Sequence, residues 1–150
     1  MKKMIIIILR WVAVLPGAIL FVLLCDFPLH WIALMRKYLP DKIIEFDNPA
    51  TFEYLLYAFW HPVLLITAAA FIAPSKKFWV GLVFTVLMFL FGLSVMIYSK
   101  QKDLVTYSAP ELTFLINIIG CAIGLGYVYS KYWLVGVEDI DLDEENEQKQ

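Results

Sequence analysis

Four polar side chains stand within or beside otherwise apolar stretches of the sequence: Asp26, His61, Ser94 and Asn117. Ionisable and amide groups are costly in hydrocarbon, so they usually face the interior of a helix bundle or a water-filled cavity. On helices that rise 1.5 Å per residue, His61, Ser94 and Asn117 lie about 10, 6 and 7 Å below the same membrane surface. Asp26 is expected at that surface, at the end of the first span. The sequence therefore predicts a small polar cavity in the membrane half opposite the two chain termini.

His61 is the member of this set best suited to proton transfer. An imidazole gains or loses a proton within the physiological pH range, and Pro62 leaves a backbone carbonyl of the same helix without its usual hydrogen bond. A polar layer around His61 and Asn117 would suit a channel or transporter for protons, small ions or a small solute. The alternative is structural, because His and Asn side chains also join helices by hydrogen bonds of about 1 kcal/mol or less. The sequence leaves both interpretations open.

Recognisable catalytic and metal-binding patterns do not occur in the sequence. It contains no HExxH, no GxSxG and no glycine-rich phosphate loop. The two cysteines, Cys25 and Cys121, form neither a CxxC pair nor a zinc-ligand spacing, which disfavours a disulfide-exchange enzyme. We therefore predict no metal and no cofactor. A membrane enzyme acting on a lipid-like substrate is kept only as a third hypothesis.

The elements that must hold these side chains are membrane helices. Of the 150 residues, 61% are hydrophobic and 17% are charged, whereas a soluble domain has about 45–50% apolar and about 25% charged residues. The mean hydropathy is +0.74. The apolar residues form four blocks long enough to cross a bilayer, at about 4–25, 54–73, 78–98 and 112–131. This pattern predicts an all-α integral membrane four-helix bundle over residues 1–136.

Two connections between the spans have readable patterns. Between Pro28 and Pro40, large apolar residues recur at helical spacing, which predicts a short amphipathic helix in the membrane interface between spans one and two; an extended loop is the alternative. The second connection, 74–77, has only four residues. It predicts that spans two and three form an antiparallel hairpin.

Small residues on span four mark a close-packing helix face. Gly120 and Gly124 form a GxxxG pattern, and Gly126 belongs to a second small face with Ala122 and Ser130. Missing side chains let helix backbones approach one another in a membrane. The face would join two copies in a homo-oligomer or would pack inside the protein's own bundle, and the sequence does not choose between these.

The last residues, 137–150, form an acidic tail that we expect to be disordered. From Glu138 onward it holds seven acidic residues and a single basic one. Apolar and acidic residues alternate at Ile140, Asp141, Leu142 and Asp143, a pattern that would dock on a basic groove of a cytoplasmic partner. The alternative is a tail that only solvates the protein. A formal net charge of −2 excludes a generally basic nucleic-acid binder.

Basic residues predict the orientation in the bilayer. A lysine pair precedes the first span, and the pair Lys76 and Lys77 occupies the shortest loop, which by the positive-inside bias predicts that both termini are cytoplasmic in a bacterial inner membrane. The preferred function from sequence is a non-enzymatic membrane subunit that oligomerises or recruits a partner. The second is the channel or transporter described above.

Overall fold

The computed structural model describes residues 2–35, 49–101 and 110–134, and this part of the chain is helical apart from the turn between the second and third helices. The helices are α1 (Lys2–Met35), α2 (Pro49–Ile72), α3 (Lys77–Gln101) and α4 (Pro110–Tyr129), which continues as a π-helical segment, Ser130–Leu134. All four are long and apolar enough to cross a membrane, over the segments Met4–Ile32, Phe52–Ile72, Lys77–Gln101 and Pro110–Leu134. The prediction of an all-helical chain with four membrane-length apolar helices is confirmed.

Helix α1 is longer than the first apolar block. It passes through Pro16 and Pro28 and ends at Met35, not at Cys25, because its last turns are held against α2: Leu29 is buried and His30 hydrogen-bonds to α2. Asp26 therefore lies inside a helix and not at its end. The first part of the predicted interfacial helix is continuous with α1, and its remainder, 36–40, lies outside the described residues.

Contacts between named residues fix the helix directions. Gly17 of α1 lies against Ile72, whereas Asp26, further along α1, lies against His61, so α1 and α2 are antiparallel. On α4, Gly120 meets Phe59 and Gly124 meets Val63, so α2 and α4 run in the same direction.

Helix α3 is antiparallel to α4, because Gly81 lies against Val128 and Lys100 pairs with Glu111. Helix α2 contacts all three other helices, and among the described helices α1 contacts only α2. The bundle is thus built around α2, with α1 at its edge.

These contacts divide the bundle into two halves. We call the half at the level of Ile72 and Val128 the terminal half, and the half at the level of His61 and Glu111 the distal half. The buried side chains of the terminal half are apolar and mostly small: Val14, Ala18, Ile66, Ala69, Ala70, Ala73, Val80 and Val128. Buried polar side chains among the described residues, Ser99 and Asn117, both belong to the distal half.

Candidate functional site

Five titratable side chains meet where α1 and α2 pack in the distal half: Asp26, His30, Glu53, Tyr57 and His61. We call them the distal cluster. His61 Nε2 lies 2.7 Å from Asp26 Oδ1, and His30 Nδ1 lies 3.1 Å from Glu53 Oε1. The Tyr57 hydroxyl donates to the same Glu53 oxygen at 3.1 Å. The Tyr57 ring also stacks on the His61 ring, with centroids 5.1 Å apart and planes inclined by 26°.

Helical spacing explains why these five residues meet. Glu53, Tyr57 and His61 follow one another at intervals of four residues, which places them along one face of α2. Asp26 and His30 have the same interval on α1. Because the two helices are antiparallel, the first residue of the α1 pair meets the last residue of the α2 series.

The Asp26–His61 pair has a defined proton arrangement when the imidazole is neutral. A carboxylate only accepts hydrogen bonds, so the hydrogen must be on Nε2 of His61, and Nδ1 is then an acceptor. When His61 takes up a second proton, the contact becomes an ion pair. The side chains of His61 and Asp26 are 36% and 29% exposed, so the pair is partly shielded but is not sealed inside the protein.

A cavity of about 310 Å³ lies beside the distal cluster, between α2, α3 and α4. We call it the distal cavity. Tyr57 and His61 belong to both the cluster and the cavity wall. The polar side chains of the wall are Tyr54, Tyr57, His61, Ser99, Thr113 and Asn117, and most of the others are apolar, including Met88, Phe91 and Phe114.

The four residues of the predicted polar cavity are not all in one place. Asp26 and His61 are in direct contact, and Asn117 lines the distal cavity together with His61. Asp26 approaches His61 from the α1 side and is not part of the cavity wall. Ser94 is exposed on α3 and donates its hydroxyl hydrogen to the carbonyl oxygen of Leu90 in its own helix, at 2.8 Å.

Sequence reasoning did not find His30, Glu53, Tyr57 or Ser99. Glu53 directly precedes the second predicted span, 54–73, and His30 belongs to the segment predicted to lie in the membrane interface. The four-residue spacing of Glu53, Tyr57 and His61 was visible in the sequence and signals a shared helix face. The sequence does not show that α1 extends to Met35, and this extension brings His30 to Glu53.

The predicted small-residue positions have different surroundings. A Cβ atom on Gly120 would overlap the carbonyl oxygen of Phe59 and would lie 2.7 Å from Pro62 Cγ. A Cβ on Gly124 would lie 3.2 Å from Val63 Cα. Gly120 and Gly124 thus pack against α2 within the chain, whereas an added Cβ on Gly126 would have nothing within 4 Å among the described residues.

Within the described part of the chain, no three His, Cys, Asp or Glu side chains are grouped so that they could hold a metal ion. The predicted docking residues Ile140, Asp141, Leu142 and Asp143 lie outside the described residues. Comparison of the chain with known protein families, with curated proteins and with solved structures finds no match.

Proposed function

We propose that the protein is a subunit of an oligomeric membrane channel or transporter that moves protons, or a small solute together with protons. The Asp26–His61 pair is its proton-binding group. The observation that carries this proposal is the 2.7 Å contact between His61 Nε2 and Asp26 Oδ1 inside the segments of α1 and α2 that are apolar enough to cross a membrane. Ionisable residues at that depth mark ion or proton pathways more often than they serve packing alone.

The rest of the distal cluster supports an entry route for protons. His30 has a side chain that is 53% exposed, and its partner Glu53 also accepts from Tyr57. The Tyr57 ring lies against His61. The membrane-length segment of α2 begins at Phe52, and His61 lies about 13 Å further along the helix axis, at 1.5 Å per residue. Groups that accept and donate protons therefore follow one another from the helix ends toward the middle of the bundle.

The terminal half gives the reason for expecting more than one copy. Its described buried side chains are apolar, so a single copy offers no continuous polar route between the described helices. Ala122, Gly126 and Ser130 form a small-residue face of α4 that is exposed in the single chain. This face suits the close approach of a second copy. The opposite face of α4, at Gly120 and Gly124, is already packed against α2.

Paired substitutions on α4 test the oligomer. Gly126→Ile should dissociate the oligomer while the monomer keeps its helix content, because an added Cβ at Gly126 would meet nothing within 4 Å in the described part of the chain. Gly124→Ile should instead unfold the monomer, because it would collide with Val63 and Ile66. Native-size analysis in detergent, combined with circular dichroism, separates the two effects. An oligomer that survives Gly126→Ile would exclude this face as the interface.

Proton flux into liposomes tests the site. His61→Gln keeps an amide that can donate a hydrogen bond to Asp26 but cannot carry a proton across the pair, so we expect normal stability and loss of flux. Asp26→Asn should also reduce flux. Ser94→Ala is the control, because Ser94 is exposed and its hydroxyl donates to the Leu90 carbonyl oxygen of its own helix. Undiminished flux in a folded His61→Gln protein would show that the pair is structural, and absence of flux in the unmodified protein would reject transport.

The location of the site in the cell is part of the proposal. We infer that the helices cross a bacterial inner membrane with both termini cytoplasmic, so that the distal cluster faces the outside. We also infer that the chain beyond Met35 continues as an amphipathic helix along the membrane surface. Labelling of Gln148→Cys by an impermeant thiol reagent added outside intact cells would contradict this orientation.

Recruitment of a cytoplasmic partner through the acidic tail is a second, separable role. It rests on the alternation of apolar and acidic residues from Ile140 to Asp143. Pull-down of the tagged protein from native membranes, with and without residues 137–150, tests it. A partner that is retained after removal of these residues does not bind the tail.

A further inference from the structure

The distal cavity is large enough to hold a small molecule with a single six-membered ring. Its volume is about 310 Å³, roughly twice that of an engineered apolar cavity of about 150 Å³ that binds benzene. Phe91, Phe114 and Tyr57 contribute aromatic rings to its wall, and Met88 and Met96 contribute thioethers. Aromatic rings and methionine sulfur both make favourable contacts with a bound ring.

The wall also limits the charge of an occupant. Among the described residues that line the cavity, none is Asp, Glu, Lys or Arg. A charged group moved into such a place loses its hydration without gaining a counter-ion, which is strongly unfavourable. As long as His61 in the wall is neutral, the cavity therefore favours an uncharged occupant.

Two buried polar side chains of the wall have unused hydrogen-bond donors. Ser99 is 5% exposed and makes no side-chain hydrogen bond within the described part of the chain. Asn117 is 7% exposed; its Oδ1 accepts a weak hydrogen bond from the Cys121 thiol at 3.9 Å and lies against Gly92. Its amide NH₂ group has no partner among the described residues. Buried donors in proteins are almost always paired, and these two are available to hydrogen-bond to a ligand oxygen.

His61 supplies the complementary acceptor. With its Nε2 hydrogen directed to Asp26, the neutral ring has Nδ1 as an acceptor, and no described residue donates a hydrogen bond to it. A ligand that satisfies the wall thus needs an oxygen that accepts from Ser99 or Asn117 and a hydroxyl hydrogen that His61 can accept.

We infer that the distal cavity binds a neutral single-ring molecule bearing a hydroxyl group, that is, a phenol or hydroquinone. The ring occupies the aromatic and methionine wall, and the hydroxyl group lies among Ser99, Asn117 and His61. Binding of this kind does not require proton transport, so it stands or falls separately from the proposed function.

The test compares two probes that differ only in the hydroxyl group. The full chain in detergent micelles is titrated with 4-fluorophenol or with fluorobenzene, and the fluorine resonance is followed by NMR, with protein-free micelles as the baseline. We expect saturable binding of 4-fluorophenol and binding of fluorobenzene that is at least about 5-fold weaker, as the loss of hydrogen bonds to buried partners predicts. Equal affinities, or shifts that do not saturate, would overturn the inference.

Variants locate the binding. Ser99→Ala and Asn117→Leu should each weaken 4-fluorophenol binding by about 2- to 10-fold, the effect of one hydrogen bond, and should leave fluorobenzene unaffected. Ser94→Ala makes the same substitution as Ser99→Ala on the same helix but outside the cavity, and should change nothing. Ala58→Phe should fill the cavity and abolish binding of both probes. If Ser94→Ala and Ser99→Ala have the same effect on 4-fluorophenol, the cavity is not the binding site.

Discussion

The contact between α2 and α4 predicts a graded response to alanine at three glycines of one helix. At Gly120 the new methyl group would overlap the Phe59 carbonyl oxygen. Because a backbone atom cannot rotate away as a side chain can, α2 and α4 must move apart. At Gly124 the nearest atom is Val63 Cα at 3.2 Å, which a shift of a few tenths of an ångström relieves. At Gly126 an added methyl group would meet nothing among the described residues.

The magnitudes follow from two opposing effects. Replacing glycine by alanine inside a helix stabilises it by about 1 kcal/mol, whereas overpacking costs about 1–3 kcal/mol. With the largest overlap, Gly120→Ala should lower the free energy of unfolding by about 2 kcal/mol. Gly124→Ala should change it by less than about 1 kcal/mol, and Gly126→Ala should raise it by up to about 1 kcal/mol.

Reversible unfolding by sodium dodecyl sulfate from mild detergent, followed by circular dichroism, measures this series. The three substitutions are chemically identical and lie on one helix, so each serves as the control for the others. If Gly126→Ala destabilised the monomer as much as Gly120→Ala, the packing of α4 on α2 described above would be wrong.

Two further predictions concern packing and the turn between α2 and α3. Ile66 is fully buried and Leu90 is 51% exposed, so Ile66→Ala should lower the free energy of unfolding by about 2 kcal/mol, near the low end for buried residues because lipid also solvates the apolar side chain. Leu90→Ala should lower it by less than about 1 kcal/mol in the same assay, and equal losses would contradict the burial of Ile66. Lys76 has a positive φ of 52°, a conformation that costs a residue with a Cβ about 1–2 kcal/mol. Lys76→Gly should therefore not destabilise the protein in thermal unfolding, and a clear loss of stability would mean that the lysine side chain stabilises the turn by more than this strain.

The sequence alone predicted four apolar helices of membrane-spanning length because their signal is local. A run of apolar residues that is long enough to cross a bilayer must satisfy its own backbone hydrogen bonds, and a helix does so within the segment. The hairpin of α2 and α3 was equally local, since four residues allow little besides a tight reversal. Asp26, His61 and Asn117 were visible for the same reason: a polar side chain in an apolar run stands out without knowledge of its partner.

The partners of those side chains depended on the tertiary structure. Helix α1 continues through Pro28 because its last turns pack on α2, and this places Asp26 against His61 and His30 against Glu53. Ser94 and Ser99 have the same chemistry and lie on the same helix, yet Ser94 is exposed and Ser99 is buried beside the distal cavity. Which face of a uniformly apolar helix turns inward is decided by the neighbouring helices, because its own pattern of hydrophobicity does not distinguish protein from lipid.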